Sequence, residues 1–375
     1  MKITQFILTL GFGGAEAVVR DYALKLKKRG HDVTVVVLLP FLNNANEQKL
    51  ISNGIKLRSI YEEIFLVKKQ NFFLKAIRKP FRTLKVKTWL KKYFSIEKPD
   101  VFHIHLGLLK FLPVGLCSSY NTKLFFTCHN ETNYYFGNPN TVEFKAAKKH
   151  IEKDEMRIFA LHSRMKKELN TIFGINTTEV LNNPIDLSRF EEINGSIQSI
   201  RASLGFSEND YIIGHVGRFV EQKNHEFLID IFNELLKKRP NAKLLLIGDG
   251  PLKEHIENKS KSLGIYDKIT FAGLRSDIPD LLGIMDVFLF PSKFEGLGIA
   301  LIEAQSKCKI HIASKNVPSD AAVTDNVCFI GLEEPLDVWV DAIINPTQYL
   351  FKAKNKIEDF DINTVINRLE CFYAK

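Results

Sequence analysis

Two carboxylates flank a glycine-containing loop near residue 300. Glu295 precedes Gly296-Leu297-Gly298, and Glu303 lies about one turn inside the helix predicted to follow. A rise of about 1.5 Å per helical residue puts the carboxylates roughly 10 to 12 Å apart. A hydrolase acid/base or nucleophile pair needs about 5 to 9.5 Å. The two are therefore predicted to contact two ends of one long ligand, and not to form a catalytic dyad.

The backbone between these carboxylates is suited to a phosphate. The amides of Ile299, Ala300 and Leu301 are expected among the unpaired donors of the helix start, at the positive end of the helix dipole. Gly298 lets a ligand approach the backbone closely. Glu-x7-Glu alone also arises by chance in a chain with 43 acidic residues, and two solvated helix acids are the alternative. The strand–loop–helix context favours the ligand site.

A second segment places two cations after an apolar run. Arg218 and Lys223 follow the strand predicted at Tyr211–Val216. They are positioned to neutralise a diphosphate, above all as negative charge builds up on a departing nucleotide. Surface charge ahead of a helix is the alternative. Their expected position opposite the Glu295 loop favours the phosphate site.

A third loop, Gly11–Glu16, joins a strand to a helix. It fails as a dinucleotide site, because Glu16 stands where GxGxxG needs its third glycine and no acidic residue ends the second strand. Gly13 and Gly14 still offer bare backbone at a helix start, where an anionic ligand is favoured. A tight turn without a ligand is the alternative.

Three histidines end predicted strands. His103, His105 and His129 can point away from the sheet edge, and His129 is the best placed for substrate contact. A hydrogen-bonded structural role is the common alternative, and a metal site at His103 and His105 lacks a third ligand. The acidic triplet Asp359-Phe360-Asp361 precedes the final helix, where capping is expected.

Strand-sized apolar runs alternate with segments of helical period, which indicates parallel sheets covered by helices. We predict α/β architecture in two units, with a hinge near Asn182–Arg189 and a final helix over about Ile362–Tyr373. The predicted strands are Lys2–Leu10, Val33–Leu39, Val101–Leu106, Lys123–Cys128, Tyr211–Val216, Lys243–Ile247, Ile269–Phe271 and Val287–Phe290.

Length and charge support this division. A chain of 375 residues with 45% apolar content can bury two cores. The net charge of +9 is uneven: residues 1–190 hold 31 basic against 16 acidic residues. Eleven basic residues fall within Ile64–Lys98, interleaved with aromatics. An amphipathic basic helix on an anionic membrane surface is one interpretation, and a solvated helix with aromatics in the core is the other. No nucleic-acid-binding motif accompanies the charge.

The cysteines and the length of the apolar runs indicate where in the cell the protein is expected. Five cysteines form no CxxC pair, which is typical of a reducing compartment. The apolar runs are too short to span a bilayer. We expect a cytoplasmic protein with, at most, peripheral contact at the inner face of the cell membrane.

Seven motifs occur in order along nearly the whole chain. They are Gly13-Gly14-Ala15-Glu16, Gly30-His31-Asp32-Val33, Asn183-Pro184-Ile185-Asp186, Gly217-Arg218 through Lys223-Asn224, Gly248-Asp249-Gly250-Pro251, Phe271-Ala272-Gly273-Leu274, and Pro291-Ser292 through Glu295-Gly296 to Glu303-Ala304. Together they resemble the retaining, GT-B-fold glycosyltransferases of family 4, particularly those that build bacterial capsular polysaccharide or exopolysaccharide. One departure is Cys308-Lys309-Ile310, where the family commonly has Gly-x-Pro.

The resemblance implies two Rossmann-like α/β/α domains facing each other across a cleft. The first would be an acceptor domain at 1–185 and the second a nucleotide-sugar domain at 186–350. Residues 351–375 would carry a helix that crosses back to the first domain. The implied reaction moves a sugar, with retention, from a nucleotide-sugar donor such as a UDP-sugar to a glycan or lipid-linked glycan acceptor. No metal or other cofactor is implied.

The resemblance also implies a role for each site residue. The implied roles are the ribose hydroxyls for Glu303, the transferred sugar for Glu295, the diphosphate for Arg218 and Lys223, the base for Arg275, the sugar for His129, and the acceptor side or β-phosphate for Gly13 and Gly14. Two other functions remain open at this point. One is a GT-B-fold sugar-nucleotide epimerase, and the other is a non-catalytic subunit that binds a partner glycosyltransferase.

Overall fold

A computed structural model describes residues 1–11, 13–41, 44–65, 79–191 and 195–375, with the backbone alone at 79 and 80. These residues form two compact units. The first unit contains Met1–Pro184 together with Ile362–Lys375, and the second contains Ile185–Asp361.

The described part of the first unit is built on a parallel seven-stranded sheet of order β3-β2-β1-β4-β5-β6-β7. The strands are β1 (Lys2–Ile7), β2 (Asp32–Val37), β3 (Lys56–Ser59), β4 (Val101–His105), β5 (Lys123–Thr127), β6 (Arg157–Ala160) and β7 (Glu179–Val180). The central strands read as continuous apolar runs because helices cover both faces of a parallel sheet.

The helices of this unit connect successive strands, as parallel pairing requires. They are α1 (Gly14–Lys28), α2 (Ala45–Ser52), α3 (Ile60–Phe65), α4 (Lys79–Glu97), α5 (Leu116–Ser119), α6 (Thr132–Phe136), α7 (Val142–Asp154) and α8 (Ser163–Phe173). In α1, the buried residues Val18, Val19, Tyr22 and Leu26 form the apolar stripe that faces the sheet.

The second unit repeats this plan with a sheet of order β10-β9-β8-β11-β12-β13-β14. The strands are β8 (Tyr211–Val216), β9 (Ala242–Ile247), β10 (Ile269–Gly273), β11 (Val287–Phe290), β12 (Ile310–Ser314), β13 (Val327–Ile330) and β14 (Leu350–Phe351). The helices are α9 (Ile197–Ser203), α10 (His225–Lys238), α11 (Lys253–Ser262), α12 (Ile278–Gly283), α13 (Ile299–Ala304) and α14 (Leu336–Ile344). Both sheet orders have the Rossmann-like arrangement, in which the first strand of the unit lies in the interior of the sheet.

The final helix, α15 (Ile362–Ala374), belongs to the first unit. Its Glu370 carboxylate accepts hydrogen bonds from Arg29 at 2.5 Å and lies 2.8 Å from the His31 ring. The Lys123 ammonium donates to the carbonyls of Tyr373 and Ala374. Side chains of Arg29, His31 and Lys123, all in the first unit, therefore bind this helix.

The first boundary between the units, after Pro184, lies within one residue of the one that the resemblance implies, whereas the return to the first unit comes later. Residues 351–361 lie in the second unit, and the first unit resumes at Ile362. The reason is that β14 pairs antiparallel with Val327 and Cys328 of β13. Only the helix itself therefore returns to the first unit.

Most predicted strand positions are confirmed, although their ends differ. The strand predicted at Lys2–Leu10 stops at Ile7, and the one predicted at Val33–Leu39 runs from Asp32 to Val37. The unusual segment after Glu303 does not prevent the next strand, because β12 pairs with β11 in regular parallel register.

Candidate functional site

A part-buried ion pair lies beyond the carboxyl ends of β8 and β11. The Lys223 ammonium is 2.7 Å from a carboxylate oxygen of Glu295, and their side chains are 18% and 7% exposed. The ammonium also lies 4.9 Å from the centre of the Phe290 ring. An apolar ring and a mutual charge partner therefore hold both groups at the sheet edge where open α/β folds bind ligands.

The two loops that carry this pair are joined by further hydrogen bonds. The Lys293 amide donates to the Gln222 carbonyl at 2.8 Å, and the Gln222 side chain donates to the Phe294 carbonyl at 3.0 Å. Asn224 donates to the Pro291 carbonyl at 3.1 Å. These contacts confirm that the Lys223 segment lies against the Glu295 loop, and they fix the pair in one geometry.

Gly298 makes the turn from this loop into α13. Its φ of +88° lies in the left-handed region, and a Cβ there would approach a Val317 methyl at 3.2 Å. The predicted strand, loop and helix are confirmed, but the helix has only six residues. The Leu301 amide donates to the Gly298 carbonyl at 2.9 Å. The prediction that Leu301 offers an open donor is therefore wrong, because the first turn closes on itself.

The remaining donors of this turn and the second carboxylate lie close by in the chain. Ile299 and Ala300 occupy the first two positions of α13, whose amides have no acceptor within the helix. Glu303 lies on the same helix and is half-buried. The structure thus puts Ile299, Ala300 and Glu303 on one short element behind the Glu295 loop.

Arg218 sits on a loop that packs directly on a glycine turn. The Phe219 amide donates to the Asp249 carbonyl at 3.0 Å. A Cβ on Gly248, whose φ is +137°, would come within 2.1 Å of the Gly217 carbonyl oxygen. This close contact between the backbones of Gly248 and Gly217 packs the Arg218 loop against the glycine turn. The Arg218 side chain is exposed and, within the described residues, forms no ion pair.

Arg275 is already occupied by a neighbouring carboxylate. Its guanidinium makes two hydrogen bonds to Asp277, at 2.8 and 2.5 Å. The hydrogen bonding raises the pKa of Arg275 and lowers the pKa of Asp277. Both residues lie on the exposed turn after β10, so a ligand reaching Arg275 there would meet a paired side chain.

In the first unit, His129 lies just after β5 and is 8% exposed. One ring nitrogen, Nε2, is 2.8 Å from Nδ1 of His105. Burial lowers the pKa of His129 to about 3 and also lowers the pKa of His103 and His105 well below the usual value. The three imidazoles are therefore neutral at physiological pH.

The loop at Gly13 and Gly14 lies at the start of α1. Both glycines are exposed, and the Ala17 amide donates to the Gly13 carbonyl at 3.1 Å. A Cβ on Gly13 would overlap the Glu16 carboxylate, so a larger residue there would displace the end of that side chain. Phe12 lies outside the described residues.

The basic stretch Ile64–Lys98 is described in part. Residues 66–78 lie outside the described residues, including Lys68, Lys69, Lys75 and Arg78. On α4, Phe94 and Tyr93 are buried, whereas Phe81 is 50% and Leu84 is 62% exposed. Each interpretation therefore describes part of the helix: Tyr93 and Phe94 pack in the core, whereas the apolar side chains of Phe81, Leu84 and Ile96 are exposed among the lysines.

Several structural residues were not identified from the sequence. Gln222 and Asn224 join the two loops of the second unit, and Asn224 has a left-handed φ of +56°, a conformation that asparagine tolerates better than most residues. Gln5 and Tyr373 bind the buried histidines of the first unit. Gln5 could be singled out in the sequence because it is an amide side chain within the apolar run Ile3–Ile7.

Some further properties concern the described residues as a whole. All five cysteines are free thiols, and four of them are buried. No described helix is long and apolar enough to cross a membrane. Among the described residues, no three His, Cys, Asp or Glu side chains cluster as metal ligands would.

Two Rossmann-like units in one chain are the architecture of the GT-B glycosyltransferases. The second unit matches the family described as Glycosyl transferases group 1 over residues 196–344. Residues 12–189 match Glycosyltransferase Family 4. The two matches together span most of the sequence, and the chain belongs to this glycosyltransferase family.

Individual glycosyltransferases are similar to this chain in sequence or in fold. EpsF of Bacillus subtilis (strain 168), itself provisionally named a glycosyltransferase, is 34% identical over 178 residues, which is 46% of each chain. The Escherichia coli UDP-Gal:alpha-D-GlcNAc-diphosphoundecaprenol alpha-1,3-galactosyltransferase is 23% identical and matches 74% of this chain and 79% of its own. Anabaena HepE, solved with UDP and glucose, superposes over both full chains with a TM-score of 0.75 at 17% identity.

Proposed function

We propose that this chain transfers a sugar, with retention of anomeric configuration, from a UDP-sugar to a lipid-linked oligosaccharide in polysaccharide synthesis. The HepE structures with UDP and UDP-glucose support a uridine donor. The galactosyltransferase from Escherichia coli, whose named acceptor is diphosphoundecaprenol-linked, supports a lipid-linked acceptor. The reaction takes place at the inner face of the cell membrane.

The part-buried Lys223–Glu295 pair is the observation that carries this proposal. The Glu295 side chain is almost wholly shielded from solvent, at 6% exposure, and the ammonium 2.7 Å away is its charge partner. When donor binds, the diphosphate takes Lys223 as its partner together with the exposed Arg218. Glu295 is then released toward the positive charge that develops on the transferred sugar.

The other site residues bind the rest of the donor. Glu303 takes the ribose hydroxyls, Arg275 takes the base, and the first turn of α13 at Gly298, Ile299 and Ala300 lies beside the phosphates. Because α13 is short and the Leu301 amide is already used, the side chains supply most of the phosphate binding. In the first unit, His129 and the Gly13–Gly14 loop contact substrate.

The chemical step needs no side-chain nucleophile. The bond between the anomeric carbon and the diphosphate oxygen breaks, and the acceptor hydroxyl oxygen bonds to that carbon from the same face. The hydroxyl proton passes to the departing diphosphate. Arg218 and Lys223 stabilise the negative charge on the leaving group, which is the role a divalent cation has in metal-dependent transfer, so the proposal includes no metal.

Nucleotide release by the purified chain tests the proposal. A panel of sugar nucleotides is incubated with chelator and with an undecaprenyl-diphosphate-linked sugar, and nucleoside diphosphate is measured by chromatography. We expect release from a UDP-sugar that Lys223→Met and Glu295→Gln nearly abolish. Lys293→Met and Glu221→Gln are matched controls, because these residues form an exposed ion pair on the same two loops.

The outcomes separate the alternatives. Full activity of Lys223→Met and Glu295→Gln would refute the site. An altered UDP-sugar formed without acceptor would identify an epimerase. Failure of every nucleotide to raise the melting temperature would identify a non-catalytic subunit. Anomeric coupling constants of the product, measured by NMR, decide between retention and inversion.

Helix α4 supplies the membrane contact in this proposal. Lys87 and Lys91 lie on the same helix as the exposed side chains of Phe81 and Leu84, a combination suited to an anionic lipid surface. We expect the protein to sediment with phosphatidylglycerol vesicles, less so at high salt. Charge reversal at Lys87 and Lys91 should abolish sedimentation.

Lys148→Glu combined with Lys149→Glu is the control for this experiment. Both lysines are exposed on α7 of the same unit, so the net charge change is equal. Equal loss of vesicle binding in both double variants would show that overall charge, not the α4 surface, causes association.

A further inference from the structure

A chain of hydrogen bonds between side chains crosses the buried face of the first sheet. Gln5, in the central strand β1, is fully buried. Its Oε1 is 2.6 Å from Nε2 of His105, and its Nε2 donates to the Tyr373 hydroxyl at 3.1 Å. Through these contacts an amide in the first strand joins the histidines to a residue of the final helix α15.

The orientation of the Gln5 amide decides where the protons lie on one side of this chain. An amide oxygen only accepts, so Nε2 of His105 carries the proton and donates it. His105 is neutral, and its Nδ1 is then bare and must accept. The partner 2.8 Å from that Nδ1 is Nε2 of His129, which therefore carries the proton of the second ring. Nδ1 of His129 is left with a lone pair.

The proton positions on the other side of the chain follow from the same Gln5 orientation. The Tyr373 hydroxyl accepts from Gln5, so its own proton points to Nδ1 of His103 at 2.6 Å. The other nitrogen of His103 then donates to the Thr127 hydroxyl at 2.7 Å. If the Gln5 amide were reversed, every proton in the chain would reverse with it. The Tyr373 hydroxyl is therefore part of the same chain of hydrogen bonds as the histidines.

One atom of the chain stands apart from the rest. Nδ1 of His129 is buried and has no hydrogen-bond partner among the described residues. A buried polar atom without a partner is destabilising, and most buried polar atoms in folded proteins have one. The other members of the chain are all paired, so His129 is the end at which the chain meets something else.

We propose that Gln5, anchored by Tyr373, acts as a positioning residue that fixes the His129 tautomer through His105. The bare Nδ1 then accepts a hydrogen bond from a substrate hydroxyl. The identity of the ligand rests on the proposed function, whereas the tautomer does not. The chemistry selects a sugar with a free hydroxyl at the contacted position over its deoxy or O-methyl analogue.

Histidine side-chain NMR tests the tautomer directly. In protein labelled with ¹⁵N-histidine, protonated and bare ring nitrogens of neutral imidazole have well-separated chemical shifts. We expect His129 to be protonated at Nε2 in the wild type at neutral pH. Gln5→Met and Tyr373→Phe should each produce a mixture of tautomers. A proton on Nδ1 in the wild type, or an unchanged tautomer in both variants, would overturn the proposal.

A matched core variant separates positioning from simple destabilisation. Ile104 lies between His103 and His105 on β4 and is fully buried, and it takes no part in the chain of hydrogen bonds. Ile104→Val should lower the melting temperature without changing the His129 tautomer. A tautomer change in Ile104→Val would show that general loosening of the core controls the ring.

Turnover provides the second measurement. Gln5→Met and Tyr373→Phe should each lower kcat about tenfold, the equivalent of one hydrogen bond, and the double variant should lose no more than either alone. A donor lacking the contacted hydroxyl should be insensitive to both variants. The expected tautomer in a protein that transfers no sugar would uphold the relay and refute the proposed function, so the two failures are distinguishable.

Discussion

The ion pair between Lys223 and Glu295 predicts an unusual mutant phenotype. In the proposed reaction the donor diphosphate must take Lys223 away from Glu295. Replacing Glu295 with glutamine leaves the shape of the side chain and removes the competing charge. We expect Glu295→Gln to bind UDP more tightly than the wild type, while it turns over far more slowly.

The magnitude follows from the geometry of the pair. A hydrogen bond between charged groups, such as the one at 2.7 Å here, contributes about 1.5 to 3 kcal/mol, and one with a neutral acceptor contributes roughly half as much. Exchange of Glu295 for glutamine therefore makes Lys223 easier to release by about 1 kcal/mol. This corresponds to a UDP dissociation constant about fivefold lower.

Isothermal titration calorimetry with UDP measures this change, and nucleotide release from the same preparations measures turnover. Lys223→Met should weaken UDP binding, and Glu221→Gln on the exposed pair of the same loops should leave it unchanged. Weaker UDP binding by Glu295→Gln would refute the reasoning. It would mean that the carboxylate supports nucleotide binding directly instead of competing for Lys223.

Two further predictions concern stability. Burial lowers the pKa of His129 and His215 to about 3 and of His225 to about 2, so these rings stay neutral in the native state while the unfolded chain protonates them below about pH 6.5. The free energy of unfolding is therefore unaffected by these rings above pH 6.5 and falls as the pH falls below it. The loss is up to about 1.4 kcal/mol per pH unit for each ring. Urea unfolding at several pH values measures it. Stability that stays constant or rises between pH 6.5 and 4 would contradict this. Gly298→Ala should lower stability by more than Gly264→Ala, since both positions have positive φ but only the first also crowds a neighbouring valine; equal melting temperatures would show that the crowding is absent.

The sequence allowed the fold to be predicted because parallel sheets leave a strong local signal. Fully buried strands such as Val287–Phe290 are short apolar runs, and turns such as the one at Gly298 need glycine. The motif order then located the second-unit loops. The sequence also predicts that the Lys223 segment lies opposite the Glu295 loop, and the two follow the adjacent strands β8 and β11.

Other features depend on contacts that no local pattern encodes. Gln5 and Tyr373 are 368 residues apart in sequence, and their contact appears only when α15 packs on the first sheet. The early closure of α13 at Leu301 depends on the sharp turn at Gly298. The direct pairing of Lys223 with Glu295 is another such contact, because the motifs relate the two residues to different parts of the donor.

The return of α15 to the first unit has a consequence for synthesis. The ribosome makes residues 1–184 first, then the whole of the second unit, and only afterwards the helix that supplies Tyr373 and Glu370. Domains usually fold in the order in which they are translated. Here the second unit, a continuous stretch of chain, can finish folding while the first still lacks its last helix. Of the two units, the one whose synthesis begins earlier is therefore completed later, and a nascent chain stalled near residue 361 would expose the surface that α15 covers.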